Sequence, residues 1–381
     1  MLSAMAHTST EAPDARTISR YGLIIAAVGI GVQLVLGVYY LAMAHSPQPH
    51  DLPVGVVGSA QQQAQVTDRL EQGGDFKVEA YDGAAGLVQA IKQRDAYGGV
   101  VFKGRVPTLY VASAAGPSVA NLFRRSFTEA YEQELGKQVK QIVAAGSPVP
   151  AATAARLAAP PAVKDVVPLP ADDSAGSSLG FVIQALCLGG SIASLALGRL
   201  GRLTQRSPKR GAGHASLLVV YALGSGAVAL VAMAVFGVGD DAHHLTLFGG
   251  LALISLAVTA STAACVALFG PVGSLVGGLY FTVGLVISGS SIVPEMLPTL
   301  GKAIGQLLPP GAGATVARDA TYFPDASTAG PFVVLGLYSV IGLAVILVTN
   351  TAANRSRYTW WLRRHAASGV PAASPSPPPE R

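Results

Sequence analysis

Long apolar runs and polar stretches alternate along this chain in an uneven 1 + 5 pattern. One run, Tyr21–Ala44, precedes a mostly polar stretch, and five more follow: Leu179–Leu197, Ala215–Val238, Leu245–Phe269, Val272–Ile292 and Pro331–Thr349. A helix rises 1.5 Å per residue, so a run of about 20 residues crosses the ~30 Å hydrocarbon core of a bilayer. The pattern predicts an α-helical polytopic membrane protein with six transmembrane helices and a large insert between the first two. Tyr21–Ala44 is too long for the h-region of a cleaved signal peptide, and Ala42-Met43-Ala44 matches a cleavage site weakly, so we read the run as a retained span.

Within the insert the period changes. Val54–Val57, Phe76–Tyr81, Tyr97–Phe102 and Thr108–Ala112 read as strands. Gln61–Gln72, a helix from an Asp82 cap to Arg94, and a long amphipathic helix Val119–Val143 capped by Ser118 alternate with them. The order βαβαββα predicts a small α/β domain with a mixed sheet over 45–147. The Ala/Pro-rich, aperiodic stretch 148–178 reads as a linker back to the membrane.

Charge orients the spans. Twelve Lys and Arg fall on one side: Arg16 and Arg20 in the tail 1–20; Arg199, Arg202, Arg206, Lys209 and Arg210 after the second span; five more in the basic tail 351–381. The opposite short loops hold only Lys302 and Arg318. Short basic loops stay cytoplasmic, which places both termini inside and the α/β insert outside. The net charge of +5 then reflects topology and anionic lipid, not nucleic acid. Hydrophobic residues make up 50% of the chain against 12% charged, with a mean hydropathy of +0.45, far from soluble composition.

Little chemistry stands out. No G-x-x-x-x-G-K-[ST], G-x-G-x-x-G after a strand, or H-E-x-x-H occurs, so no enzyme, cofactor or catalytic residue is expected. Cys187 and Cys265 lie in apolar runs and read as packing residues, and His243 and His244 beside Asp240 and Asp241 read as a polar turn, not a metal site. The arginines Arg124 and Arg125 read as a solvated face, or else one that meets lipid head groups or an anionic ligand. No span carries Asp or Glu, which argues against a proton-coupled antiporter. The polar side chains Gln33 and Gln184 either bond between helices or face a substrate path. Gly273 and Gly277, with the row Gly270, Ser274 and Gly278, allow close helix approach.

Between the last two spans, 293–328 is broken by Pro294, Pro298, Pro309 and Pro310, with Glu295 among them. Two short amphipathic helices, Thr299–Leu308 and Ala314–Phe323, separated by Pro-Pro-Gly, predict a re-entrant or interfacial hairpin on the outer face.

Together with Leu52-Pro53-Val54-Gly55-Val56-Val57 and the basic loop, this Pro-Glu-Met-Leu-Pro…Leu-Leu-Pro-Pro-Gly…Arg-Asp-Ala-Thr-Tyr-Phe segment resembles the permease subunits of ABC-2-type exporters. The branch is the one with a large extracytoplasmic insert, the phage-infection-protein-like membrane proteins. The resemblance implies a bacterial plasma-membrane permease, homo- or heterodimeric, driven by a separate cytoplasmic ABC-type ATPase and exporting an amphipathic or lipid-like substrate. It implies that Arg199, Arg202, Arg206, Lys209 and Arg210 contact the ATPase. It further implies that Pro294, Glu295, Pro298, Pro309 and Pro310 belong to outer re-entrant helices closing the exit path. The competing reading is a membrane receptor or scaffold presenting an outer binding domain.

Overall fold

The computed structural model describes residues 15–45, 47–71, 74–103, 106–151, 153–154, 161–202, 207–240 and 242–367, without the side chains of 15–23, 25–26, 106, 198–202 and 351–367. The chain is largely helical. Among the described residues five helical stretches are long and apolar enough to cross a bilayer: Ala27–Ala44, Ser178–Leu197, Pro208–Val235, His244–Gly284 and Ala329–Asn350. This is the pattern of a polytopic membrane protein. Helix α1 (Ala15–Ala44) forms a compact unit by itself, and everything from Pro47 onward forms the second.

The second unit opens with an α/β lobe. Its strands are β1 (Leu52–Val57), β2 (Phe76–Ala80), β3 (Gly98–Lys103), β4 (Val106–Val111) and β5 (Ala162–Asp165), in sheet order β2-β1-β3-β4-β5. All neighbours pair parallel except β3–β4, so the sheet is mixed. Its helices are α2 (Ala60–Glu71), α3 (Ala84–Lys92) and α4 (Pro117–Ala144). In β1, Leu52, Val54, Val56 and Val57 are all buried, as expected of an inner strand with both faces covered.

Three expectations change here. The aperiodic stretch read as a linker contains β5, a four-residue edge strand too short and too exposed to show a period. Arg124 does not face solvent alone: it donates to Asp165 of β5 at 2.8 Å, while Ser113 N–H donates to the other carboxylate oxygen at 3.1 Å. Helices α3 and α4 are capped by Gly83 and Gly116, not by Asp82 and Ser118, and neither cap has a side-chain bond.

The helical lobe contains α5 (Ser178–Arg202), α6 (Pro208–Val235), α7 (His244–Phe269), α8 (Leu275–Leu279), α9 (Thr299–Leu307), α10 (Pro309–Tyr322) and α11 (Ala329–Ala367). Helix α7 is apolar on every side and sits at the centre, the placement such a helix requires. Small residues bring its neighbours close: a Cβ on Gly226 of α6 would meet Ala252, one on Gly190 of α5 Thr259, and one on Gly342 of α11 Ala260. Backbone approach of this kind gives van der Waals packing where lipid provides no hydrophobic drive.

The His244–Gly284 stretch is two arms, not one rod. Gly270 has φ +73, a left-handed conformation that ends α7, and a 3-10 turn over Gly270–Ser274 reverses the chain. On the way back Tyr280 Oη lies 3.2 Å from Ser261 Oγ, nineteen residues earlier in the chain. The glycines Gly273 and Gly277 serve this fold-back, against Cys265–Val266 and against Ser191 and Thr262. The return arm is helical only through the π-helical turn Tyr280–Gly284, about 15 Å at 1.5 Å per residue, half of what a full span needs. The helical part of the run Val272–Ile292 is therefore shorter than the run itself. Ser288, Gly289, Ser290 and Ser291 explain why: three serines and a glycine at φ +83 favour local turns over helix.

Candidate functional site

The stretch 285–293 leaves its backbone outside any helix, so its carbonyls need partners. Side chains from α9 and α10 supply them. Arg318 Nη1 donates to Gly289 O and Nη2 to Ser290 O, both at 2.8 Å. Gln306 Nε2 donates to Ser288 O at 3.1 Å and its Oε1 accepts from Thr315 Oγ1 at 2.8 Å. Buried irregular backbone survives in an apolar setting only when satisfied in this way.

Helices α9 and α10 form a hairpin whose bend is Leu308. Pro309 and Pro310 do not separate the helices as a linker; they occupy the first turn of α10, where proline loses no intrahelical bond. Pro298 precedes α9, and Pro294 opens a 3-10 turn, so all four prolines mark helix starts. Helix α10 runs antiparallel to α7, with Gly313 against Ile254 and Val316 against Gly250. Its first turn thus reaches about 15 Å along α7 from His244. On α9, Leu300, Ile304 and Leu307 form an exposed apolar stripe.

The hairpin is joined to the α/β lobe by a buried polar junction. Arg94 follows α3 at φ +61, and its Nη1 donates to the Asp319 carboxylate; the guanidinium also lies 5.8 Å from the centre of the Phe323 ring. Arg94 Nε is buried without a partner. Tyr97 Oη donates to Glu295, whose other oxygen is 4.0 Å from Lys302 Nζ, and Glu295 O accepts from His50 N–H at 2.8 Å. Burial, then the Glu295 carboxylate, pushes the Tyr97 phenol above its ordinary range, so it remains a donor. Burial also raises the Asp319 carboxyl, while Arg94 and Arg318 pull it back.

Apolar packing continues the junction. Val293, Met296 and Phe323 belong to the same buried cluster as Leu52, Val111 and Phe123 of the sheet and α4. Full burial of side chains of this size is worth about 1.5–3 kcal/mol each. The 293–328 segment therefore completes the core of the α/β lobe. Beside the junction lies an open cleft of about 740 Å³ lined by residues that include Asp51, Lys77, Glu79, Tyr81, Glu295 and Lys302.

The other predicted residues lie elsewhere. Arg199 and Arg202 end α5, about 30 Å along it from Gly180, which packs on Ser290. Lys209 and Arg210 stand in the first turn of α6, where Ser207 Oγ accepts from Arg210 N–H at 3.3 Å; Arg206 lies outside the described residues. The basic group and the hairpin thus occupy opposite ends of α5. Gln33 is exposed on α1 and Gln184 half-buried on α5. Among the described residues no three His, Cys, Asp or Glu side chains gather as a metal site. Sequence reasoning missed Arg94, Tyr97 and Asp319. A signal existed for the last: Arg318-Asp319 are the only charges in the otherwise apolar and small-residue helix Pro309–Tyr322.

Compared with family models, curated proteins and solved structures, the chain matches none.

Proposed function

We propose that the chain is the permease subunit of an ATP-driven ABC-2-type exporter in a bacterial plasma membrane, moving an amphipathic or lipid-like substrate outward. Both termini and the basic segment between α5 and α6 face the cytoplasm, and the α/β lobe and hairpin face outward. A separate ABC-type ATPase engages Arg199, Arg202, Arg206, Lys209 and Arg210, and two permease copies, identical or not, enclose the path. ATP drives export by binding one conformational state more tightly than the other.

The observation that carries this reading is the placement of two elements at opposite ends of α5. At one end lie the basic end of α5 and the basic start of α6, suited to a cytoplasmic partner. At the other lies a hairpin that enters the helical lobe only part-way and is tied down by side chains. The exposed stripe Leu300, Ile304 and Leu307 supports contact of α9 with lipid. A second reading, a receptor or scaffold, is favoured by the polar cleft on the α/β lobe.

Affinity purification of the tagged protein in mild detergent separates the two. An ATPase is expected to co-purify stoichiometrically and to be lost when Arg202, Arg206, Lys209 and Arg210 are neutralised together, with expression unchanged. Absence of any ATPase, confirmed by crosslinking in intact cells, would favour the receptor reading.

A further inference from the structure

One face of the α/β lobe is left partly bare by its own helices. Helix α3 lies over β1 and β3, where Gly55 and Gly99 let it settle, since a Cβ on either would clash with Leu87. Edge strand β2 stays open beside it, with Lys77 exposed and Glu79 and Tyr81 half-buried. Side chains alternate along a strand, so Lys77, Glu79 and Tyr81 share one face, and Gly86, Gln89 and Gln93 share a face of α3 at helical spacing. These residues wall the cleft of about 740 Å³, within the size range of small-molecule sites. The hairpin contributes Glu295 and Lys302, the latter about 200° round α9 from the exposed Leu300.

Two carboxylates in the cleft are held in the same way. Glu79 accepts from Lys77 Nζ at 2.9 Å and from the Tyr81 phenol at 3.1 Å. Glu295 accepts from the Tyr97 phenol and lies 4.0 Å from Lys302 Nζ, while His50 N–H fixes its backbone. Burial, then the Glu79 bond, pushes the Tyr81 phenol up to about 12, so it stays a donor like Tyr97. The lobe and the hairpin thus each offer a fixed carboxylate with an ammonium group beside it. Asp51 and Asp95 add two carboxylates that make no ion pair among the described residues.

We infer that the cleft binds a small zwitterion of the amino-acid class, one with at least as many ammonium groups as carboxylates. A molecule of a single charge meets repulsion from half of each Lys–Glu pair, whereas a zwitterion finds an opposite charge for both of its ends. The excess of carboxylates in the lining adds a preference for a further amine. Gln89 and Gln93 supply donors and acceptors for the rest of the molecule. The bound ligand touches the lobe and the hairpin at once. The site is independent of the export reading, which ATPase co-purification decides separately.

Thermal midpoints of the full-length protein in detergent, read with each common amino acid and with the dipeptide Gly-Lys at about 10 mM, test the inference. At least one of these is expected to raise the midpoint by more than about 2 °C, the basic ones most, and calorimetric titration then gives its Kd. Gly86→Leu is the diagnostic variant. A Cβ there meets only Tyr81, at 3.8 Å, and leucine is the better helix former, so the fold is kept while the cleft is filled. It should weaken binding at least about tenfold and leave the midpoint of the ligand-free protein unchanged or higher. Glu79→Gln and Glu295→Gln should each weaken binding by about tenfold, through loss of a charge-assisted bond to the ligand. Stabilisation by none of these zwitterions, equal stabilisation by succinate or putrescine, or unchanged affinity in Gly86→Leu overturns the inference.

Discussion

Asp319→Ala is expected to destabilise the protein by about 3–5 kcal/mol, because it strands a buried cation. The Arg94 side chain is 13% exposed and that of Asp319 3% exposed. Without the carboxylate, Arg94 and Arg318 would stand close together in a buried setting with no counter-charge between them. The diagnostic comparison is the double replacement Arg94→Met with Asp319→Leu, which removes both charges and should recover most of the loss. Equilibrium denaturation in mixed micelles, followed by circular dichroism, measures both. If the double variant were as unstable as Asp319→Ala, the cost would lie in packing or in Arg318, not in the unpaired Arg94.

The second large effect is steric. A Cβ on Gly305 would sit 1.9 Å from Ile287 O, and one on Gly311 2.0 Å from Gly305 O. These contacts are with backbone, which cannot rotate away as a side-chain tip can. Gly305→Ala should therefore push α9 off the irregular stretch, at a cost of about 1–3 kcal/mol or more. It should also loosen the Gln306–Ser288 bond one residue away. Gly278→Ala is the control: a Cβ there meets nothing within 4 Å, and its effect should stay within about 0.5 kcal/mol. Thermal midpoints of the two variants in one detergent decide the matter; equal midpoints would refute the steric account.

The parts of this fold visible in the sequence were those with a period. Apolar runs located α5, α6, α7 and α11, a compact β-branched run located β1, and alternation located β2, because burial on one face or all round leaves its mark on the sequence. The elements that escaped had none. Strand β5 is held by backbone pairing with β4 and by Arg124, neither of which leaves a pattern in Ala162-Val163-Lys164-Asp165. The half-length return arm escaped for the opposite reason, since Val272–Ile292 is apolar enough to look complete and only Ser288–Ser291 marks the break. At the junction, Glu295 and the prolines were legible as irregularities. Their partners Arg94 and Tyr97 come from some 200 residues earlier in the chain, where nothing local announces a pairing.

That long reach has a consequence for biosynthesis. The last α/β residues that pack on the lobe core before the helices, Val166, Val167 and Leu169, precede Phe323 by about 150 residues. At roughly 5–20 residues per second, a growing chain holds an unfinished lobe for about 8–30 s before its last core side chains are made. Throughout that interval the faces later covered by Val293, Met296 and Phe323 remain open to wrong partners. Slow synthesis through α5 to α8 would lengthen the exposure, so the speed of translation through those helices should affect how much protein matures.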